Sequence, residues 1–263
     1  MGPNLWLHRI LNPLFFKLRN ALRISRHNYR ETPSKNLPSL SPAQKKRITT
    51  LQEKYRIDFA SRFNETNTRD NYTLLDLLDQ FSAHWVPTPN QVVVDVGSKN
   101  FVYAEVLEAF LHPKQLTGVE IDAYQLYQDG HTRASYAQFY LRDLPHFRYL
   151  TGDYLQQKLP CDGITMLYPF VTAEPLLRWQ LPLACLQPAQ LFAQVFANTA
   201  TGGWMLMTNH WSEEWDIATR EASAAGWKLQ KMIRYEPALE PQEEPAWVSL
   251  WRSVAPTAVQ RGS

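Results

Sequence analysis

The residues with the most chemical content recur at regular intervals through the middle of the chain. "QVVVDVGSKNFVYAEVL" (91–107) places Asp95 and Gly97 at the end of a β-branched run, and "GVEID" (118–122) places Glu120 at 23 positions beyond Gly97. A glycine there permits a tight turn and a close backbone approach. A carboxylate about 20 residues later can accept both hydroxyls of a ribose. Further along, "RYLTGDYL" (148–155) carries Asp153 and Tyr154, "CDGITML" (161–167) carries Asp162, and "GGWMLMTNH" (202–210) ends on Asn209 and His210. His210 is the one histidine expected at a strand end facing a pocket, as a general base or as a hydrogen-bonding partner for its own loop. "YPFV" (168–171) brings Tyr168 and Phe170 to the same mouth, either as part of the site or as an aromatic lid packed on its own loop.

Residues so spaced need strands that end together and helices that return the chain. The sequence alternates accordingly: strands at 91–97, 115–122, 148–155, 161–171 and 202–210 are separated by helical patterns such as "FVYAEVLEAFLH" (101–112) and "PAQLFAQVFANTA" (188–200). Such βαβ alternation calls for a mainly parallel sheet covered on both faces. After a helix at 213–227, the strands at 228–237 and 246–254 flank a Pro- and Glu-rich loop, 237–245, and pair antiparallel because no helix intervenes. Ahead of the sheet, "TLLDLLDQFSAHW" (73–85) reads as a helix with Thr73 and Asp76 as a capping box, stopped by Pro87 and Pro89.

Residues 91–254 resemble a class I S-adenosylmethionine-dependent methyltransferase domain. The family's first motif is answered by "VVVDVGSKNF", in which Asp95 and Gly97 match while Lys99 and Phe101 stand where further glycines are typical. The resemblance implies a Rossmann-like seven-stranded sheet, mostly parallel with a C-terminal antiparallel hairpin, and S-adenosylmethionine held by Asp95, Gly97, Ser98 and Asn100. It also makes Glu120 the second-motif acid, with Asp122 the runner-up. Asp153 would contact the adenine amino group, Tyr154 would pack on the ring, and Asp162 would open the strand leading into the reaction site. Lys99 sets a cation near the sulfonium, a repulsion avoided if its side chain turns outward or meets an acid. Tyr168, Asn209 and His210 become the catalytic candidates. The segment 168–190, rich in Leu, Pro and Trp, reads as a cap suited to a small or hydrophobic methyl acceptor.

Competing chemistries leave no trace. "GSKNFV" supplies only the first glycine of a dinucleotide fingerprint, and there is no phosphate-binding P-loop, no H-E-x-x-H and no nucleophile elbow. The scattered histidines offer no metal site. Cys161 and Cys185 sit in apolar stretches and read as buried thiols of a cytoplasmic protein.

The ends of the chain differ in charge. Residues 1–47 carry ten Lys/Arg and one acid, and the remainder carries 17 Lys/Arg against 24 Asp/Glu. The chain therefore divides into a basic amphipathic arm with a Pro/Ser-rich linker (1–47), a helical preamble (48–90), the α/β core (91–255) and a short tail (256–263). Pro13 is expected to kink or restart the arm's helix. That helix can pack on its own domain or a second subunit, lie on a membrane surface or, less favourably, grip nucleic acid. A non-catalytic module docking a partner or membrane through residues 1–30 is the alternative to methyl transfer.

Overall fold

Val92–Val96 has no polar alternation, which suits a strand covered on both faces. It forms β1, with Val93, Val94 and Asp95 buried. The structure, a computed structural model, describes residues 3–26, 28–32, 40–239 and 245–254. Beside β1 run β2 (Gln115–Glu120), β3 (Phe147–Thr151), β4 (Cys161–Leu167), β5 (Thr199–Asn209), β6 (Trp227–Tyr235) and β7 (Ala246–Ser253), in the order β3-β2-β1-β4-β5-β7-β6. Strands β1 to β5 are parallel, and β7 lies antiparallel between β5 and β6. This is the seven-stranded Rossmann-like sheet expected from the sequence.

The helices are α1 (Pro3–Leu22), α2 (Pro42–Tyr55), α3 (Glu65–Phe81), α4 (Ala104–Leu111), α5 (Arg133–Tyr140), α6 (Ala173–Arg178), α7 (Pro188–Asn198) and α8 (Ser212–Ala224). One apolar layer joins Leu75, Leu78 and Phe81 of α3 to Val106, Leu107 and Phe110 of α4, and the other joins Phe192, Val195 and Trp215 to Met166, Met205 and Met207 of the sheet. Because the chain runs outward from β1 through β2 to β3, and then returns to β4 on the other side, a crevice opens beyond the carboxyl ends of β1 and β4.

Several boundaries differ from those expected. α3 starts at Glu65 behind the Asn64 cap, so Thr73 and Asp76 lie inside the helix. Asp76 caps nothing: it accepts hydrogen bonds from Arg47 Nε (2.6 Å) and Tyr235 OH (2.7 Å), tying α2 and β6 to α3. α2 begins at Pro42 inside the expected linker, where Ser41 and Gln44 make a reciprocal capping box. α5 had no predicted counterpart, and α1 continues through Pro13 without a restart. The linker residues 33–39, most of the loop at 237–245 and the tail lie outside the described residues.

α1 lies against α6 with its polar side inward. The end of α6 and the turn after it present carbonyl oxygens to α1. Buried Asn12 donates from Nδ2 to the Leu177 and Leu181 carbonyls at 2.9 and 3.0 Å, and Arg19 donates to the Gln180 carbonyl at 2.9 Å. Arg19 also makes a paired contact to Asp122 through Nε and NH2, at 2.5 and 2.7 Å. Donors are what this surface requires, so the apolar residues of α1 face outward.

Candidate active site

The turn after β1 holds its shape with a single glycine. Gly97 (φ 81°), Lys99 (φ 53°) and Phe101 (φ 54°) all lie in the left-handed region, which costs a non-glycine residue about 1–2 kcal/mol. Surrounding bonds enforce it. Gly97 N and Ser98 N donate to the Val119 carbonyl at 2.9 and 3.1 Å, and Lys99 N donates to Glu120 Oε2 at 2.8 Å. Tyr149 OH donates to the Lys99 carbonyl at 2.5 Å. The Phe101 ring is fully buried in the core beside Phe147 rather than in the crevice. It has room because Gly118 on β2 lacks a side chain: a Cβ there would stand 2.7 Å from Phe101 Cε1. A Cβ on Gly97, by contrast, would meet nothing within 4 Å, so the space above the turn is open.

Glu120 closes β2 at one wall of that space. Its Oε1 accepts from Asp122 N (2.8 Å) and Arg133 NH1 (3.0 Å), so the carboxylate is held in place by backbone and guanidinium together. Burial pushes its pKa up while Arg133 and the backbone N–H groups pull it down, with the rise prevailing. Burial works against the Arg133 charge too, but Glu120 and Asp122 outweigh it. The Arg133 guanidinium and the Lys99 ammonium both sit over the Trp179 ring, at 5.1 and 5.2 Å. Burial, with Arg133 nearby, lowers the Lys99 pKa.

Beyond β3, Gly152 carries φ 139°, and Asp153 Oδ1 accepts from Leu155 N (2.9 Å) as the cap of a short 3-10 turn. Buried Tyr154 OH accepts from Asn198 Nδ2 (2.9 Å). After β4, Tyr168 N donates to Thr208 Oγ1 (3.0 Å), and its ring stacks on His210 with centroids 3.8 Å apart and planes 7° apart. Burial raises the Tyr168 pKa to about 12 and lowers that of His210, which favours the neutral imidazole. His210 N donates to Glu214 Oε2 at 3.2 Å.

These groups surround one cavity of about 470 Å³, within the range of small-molecule sites. Gly97, Lys99, Glu120, Asp153, Tyr154, Tyr168 and His210 all line it, and α3 and the segment around α6 supply further walls. Its lining holds four carboxylates, Asp70, Glu120, Asp153 and Glu214, against two cations, Lys99 and Arg133, a balance that favours a positively charged guest despite Lys99.

Other expected residues lie elsewhere, and their roles are corrected accordingly. Asp95 is buried behind the turn, accepting from Thr165 Oγ1 (2.5 Å) and Tyr103 OH (2.7 Å). Ser98 and Asn100 are buried and do not line the cavity. Asp162 sits at the opposite end of the sheet, where its Oδ2 accepts from Val92 N (2.8 Å). A strand's first residue cannot reach a site at its carboxyl end. Asn209 is fully buried and outside the lining. Conversely, Arg133, Trp179 and Glu214 carried no motif that would have singled them out.

The buried Asp95 makes stability depend on pH. Burial raises its pKa from 3.8 to about 6 against the two hydroxyl donors. Its native state therefore holds a proton that the unfolded chain has released; the favourable contribution is complete below pH 3.8 and is lost as pH rises through 6. Asp95→Asn is expected to remove about 2 kcal/mol of the fall in stability between pH 4 and pH 7, as read from urea unfolding at the two pH values. His210 behaves oppositely. With its pKa depressed, its contribution is present above 6.5 and lost as pH falls through the lowered native value. NMR titration should find its ring neutral at pH 6.5, and half-protonation at or above that pH would contradict the burial described.

No family model and no curated protein matches the sequence. Solved structures do match. A protein of Pyrococcus horikoshii assigned as an RNA methyltransferase aligns with a TM-score of 0.51 at 13% identity, covering 82% of this chain and 100% of that one. A SAM-dependent methyltransferase from Aquifex aeolicus aligns at 0.51 and 12% identity, over 70% of this chain and 93% of that one. The fold is that of the class I methyltransferases. A Galdieria sulphuraria protein assigned as a sarcosine dimethylglycine methyltransferase shares it at 0.50 and 9% identity, over 71% of this chain and 88% of that one. In open α/β sheets ligands bind beyond the carboxyl ends of the strands where the strand order reverses, and in this chain Gly97, Glu120 and Asp153 converge there.

Proposed function

We propose that this crevice binds S-adenosylmethionine and that the protein transfers its methyl group to a small or hydrophobic acceptor. The observation that carries the reading is the open space over Gly97, flanked by Glu120 from the next strand and Asp153 from the one beyond. Those residues fit an adenosyl group. Glu120 has its Oε2 turned toward the turn, with capacity to accept from ribose hydroxyls beside its bond to Lys99 N. Asp153 uses one carboxylate oxygen on Leu155 N, and Tyr154 and Leu155 add flat and apolar surface for a base. When bound, the cofactor supplies an activated methyl group on a sulfonium.

What the chain contributes is alignment and, where the acceptor must lose a proton, a base. We assign that role to His210, whose pKa burial lowers and whose ring stacks on Tyr168 in the lining of the cavity. The Leu176, Leu181 and Phe170 side of the lining excludes water around an apolar acceptor. The test is release of S-adenosylhomocysteine from S-adenosylmethionine on adding hydrophobic phenols and amines, compared with RNA oligonucleotides. Release with the small molecules alone is expected, and release only with RNA would overturn the acceptor class.

A further inference from the structure

The polar side of α1 is occupied by α6 and Asp122, and the side opposite is bare. Trp6, Leu7, Ile10, Leu14, Leu18 and Leu22 are 49–68% exposed. At helical spacing they fill one continuous arc of about half the circumference. An arc of that extent in a water-facing helix is a contact surface lacking its partner.

We infer that this face of α1 docks on an anionic lipid surface. Charge complementarity selects that occupant. Residues 1–47 carry a net charge of +9 and the rest of the chain −7. Arg19 and Arg47 are already paired with carboxylates of the body, but residues 1–30, α1 and the segment after it, hold six Lys/Arg and no Asp/Glu, a composition that an acidic bilayer attracts. Lys17, which falls between Trp6 and Ile10 within the arc, and Arg23, just past the helix, are both exposed, and their long side chains can carry the charge out to the headgroups. Long basic side chains around an apolar face with an exposed Trp are what an interfacial helix needs. A second copy fits less well, because pairing these faces brings together two segments that each hold six Lys/Arg and no Asp/Glu. Nucleic acid would leave the leucines unburied. Helix α1 does not span: no helix among the described residues is long and apolar enough to cross a membrane. The bonds of Asn12 and Arg19 fix the helix in this orientation, so its outward face is already presented before any surface is met.

The inference stands independently of the transfer reading and is tested on the full chain by flotation with vesicles. Binding to vesicles of phosphatidylcholine mixed with phosphatidylserine is expected, weakening as salt is raised, with little binding to phosphatidylcholine alone. Substituting Ile10→Ser, Leu14→Ser and Leu18→Ser together should reduce binding by about tenfold or more for each leucine or isoleucine withdrawn from the lipid. These side chains touch solvent, so urea stability should stay within about 1 kcal/mol of the parent. Protein that remains unbound with both vesicle types overturns the inference. So does triple-variant binding equal to the parent's, or a dimer in sedimentation equilibrium that the triple substitution dissolves while vesicles capture nothing.

Discussion

Glu120→Gln is expected to weaken S-adenosylhomocysteine binding by about ten- to a hundredfold, and Glu120→Ala is expected to cost about 3–5 kcal/mol of folding stability besides. The first number is the loss of a charged hydrogen-bond acceptor for ribose. The second arises because Arg133 is buried with NH1 on Glu120 at 3.0 Å and only a 3.8 Å approach to Asp122 in reserve. Both variants remove the charge that compensates Arg133, but glutamine keeps the shape and one acceptor oxygen for it, so the larger loss of stability falls on alanine. Lys99 N and Asp122 N also donate to this carboxylate, so the alanine variant loosens the turn itself. Calorimetric titration of the glutamine variant, together with urea unfolding of both, separates the binding role from the structural one. Unchanged affinity in Glu120→Gln would remove Glu120 from the ligand site.

Phe101→Ala is expected to destabilise the fold by about 3–5 kcal/mol while leaving the affinity of the folded protein for S-adenosylhomocysteine nearly unchanged. The ring is buried between Gly118 and Phe147 and does not border the cavity. A truncation there creates a void beneath the sheet, and the left-handed backbone at 101 loses the packing that compensates its strain. A large loss of affinity at unaltered stability would instead mean that the ring serves the ligand.

These two residues also mark how far the sequence could be read. The strands were legible because continuous β-branched runs admit few other structures, and Gly97, Glu120 and Asp153 were legible because parallel strands deliver their last residues to one edge. How the glycine-poor turn closes was not legible. Its missing glycine is supplied from the neighbouring strand by Gly118, a relation between residues 17 apart that only pairing in space reveals. Asp162 misled for a related reason, since an acid in the right strand can stand at the wrong end of it. Arg133 belongs to a short helix without strong periodicity, and its partners come from β2 and the loop after it. The outward turn of the leucines in α1 was hidden because periodicity identifies an apolar face without saying which way it points. Here the carbonyls of Leu177 and Leu181, which accept from Asn12, decided it.

Whether a turn keeping only its leading glycine leaves room for an adenosyl ligand tethered by the acid of the next strand is decided by titrating S-adenosylhomocysteine into the full chain in a calorimeter. Saturable binding at one site per chain, lost or strongly weakened in Glu120→Gln, is the predicted result; no heat of binding at millimolar ligand with Glu120 in place would contradict it.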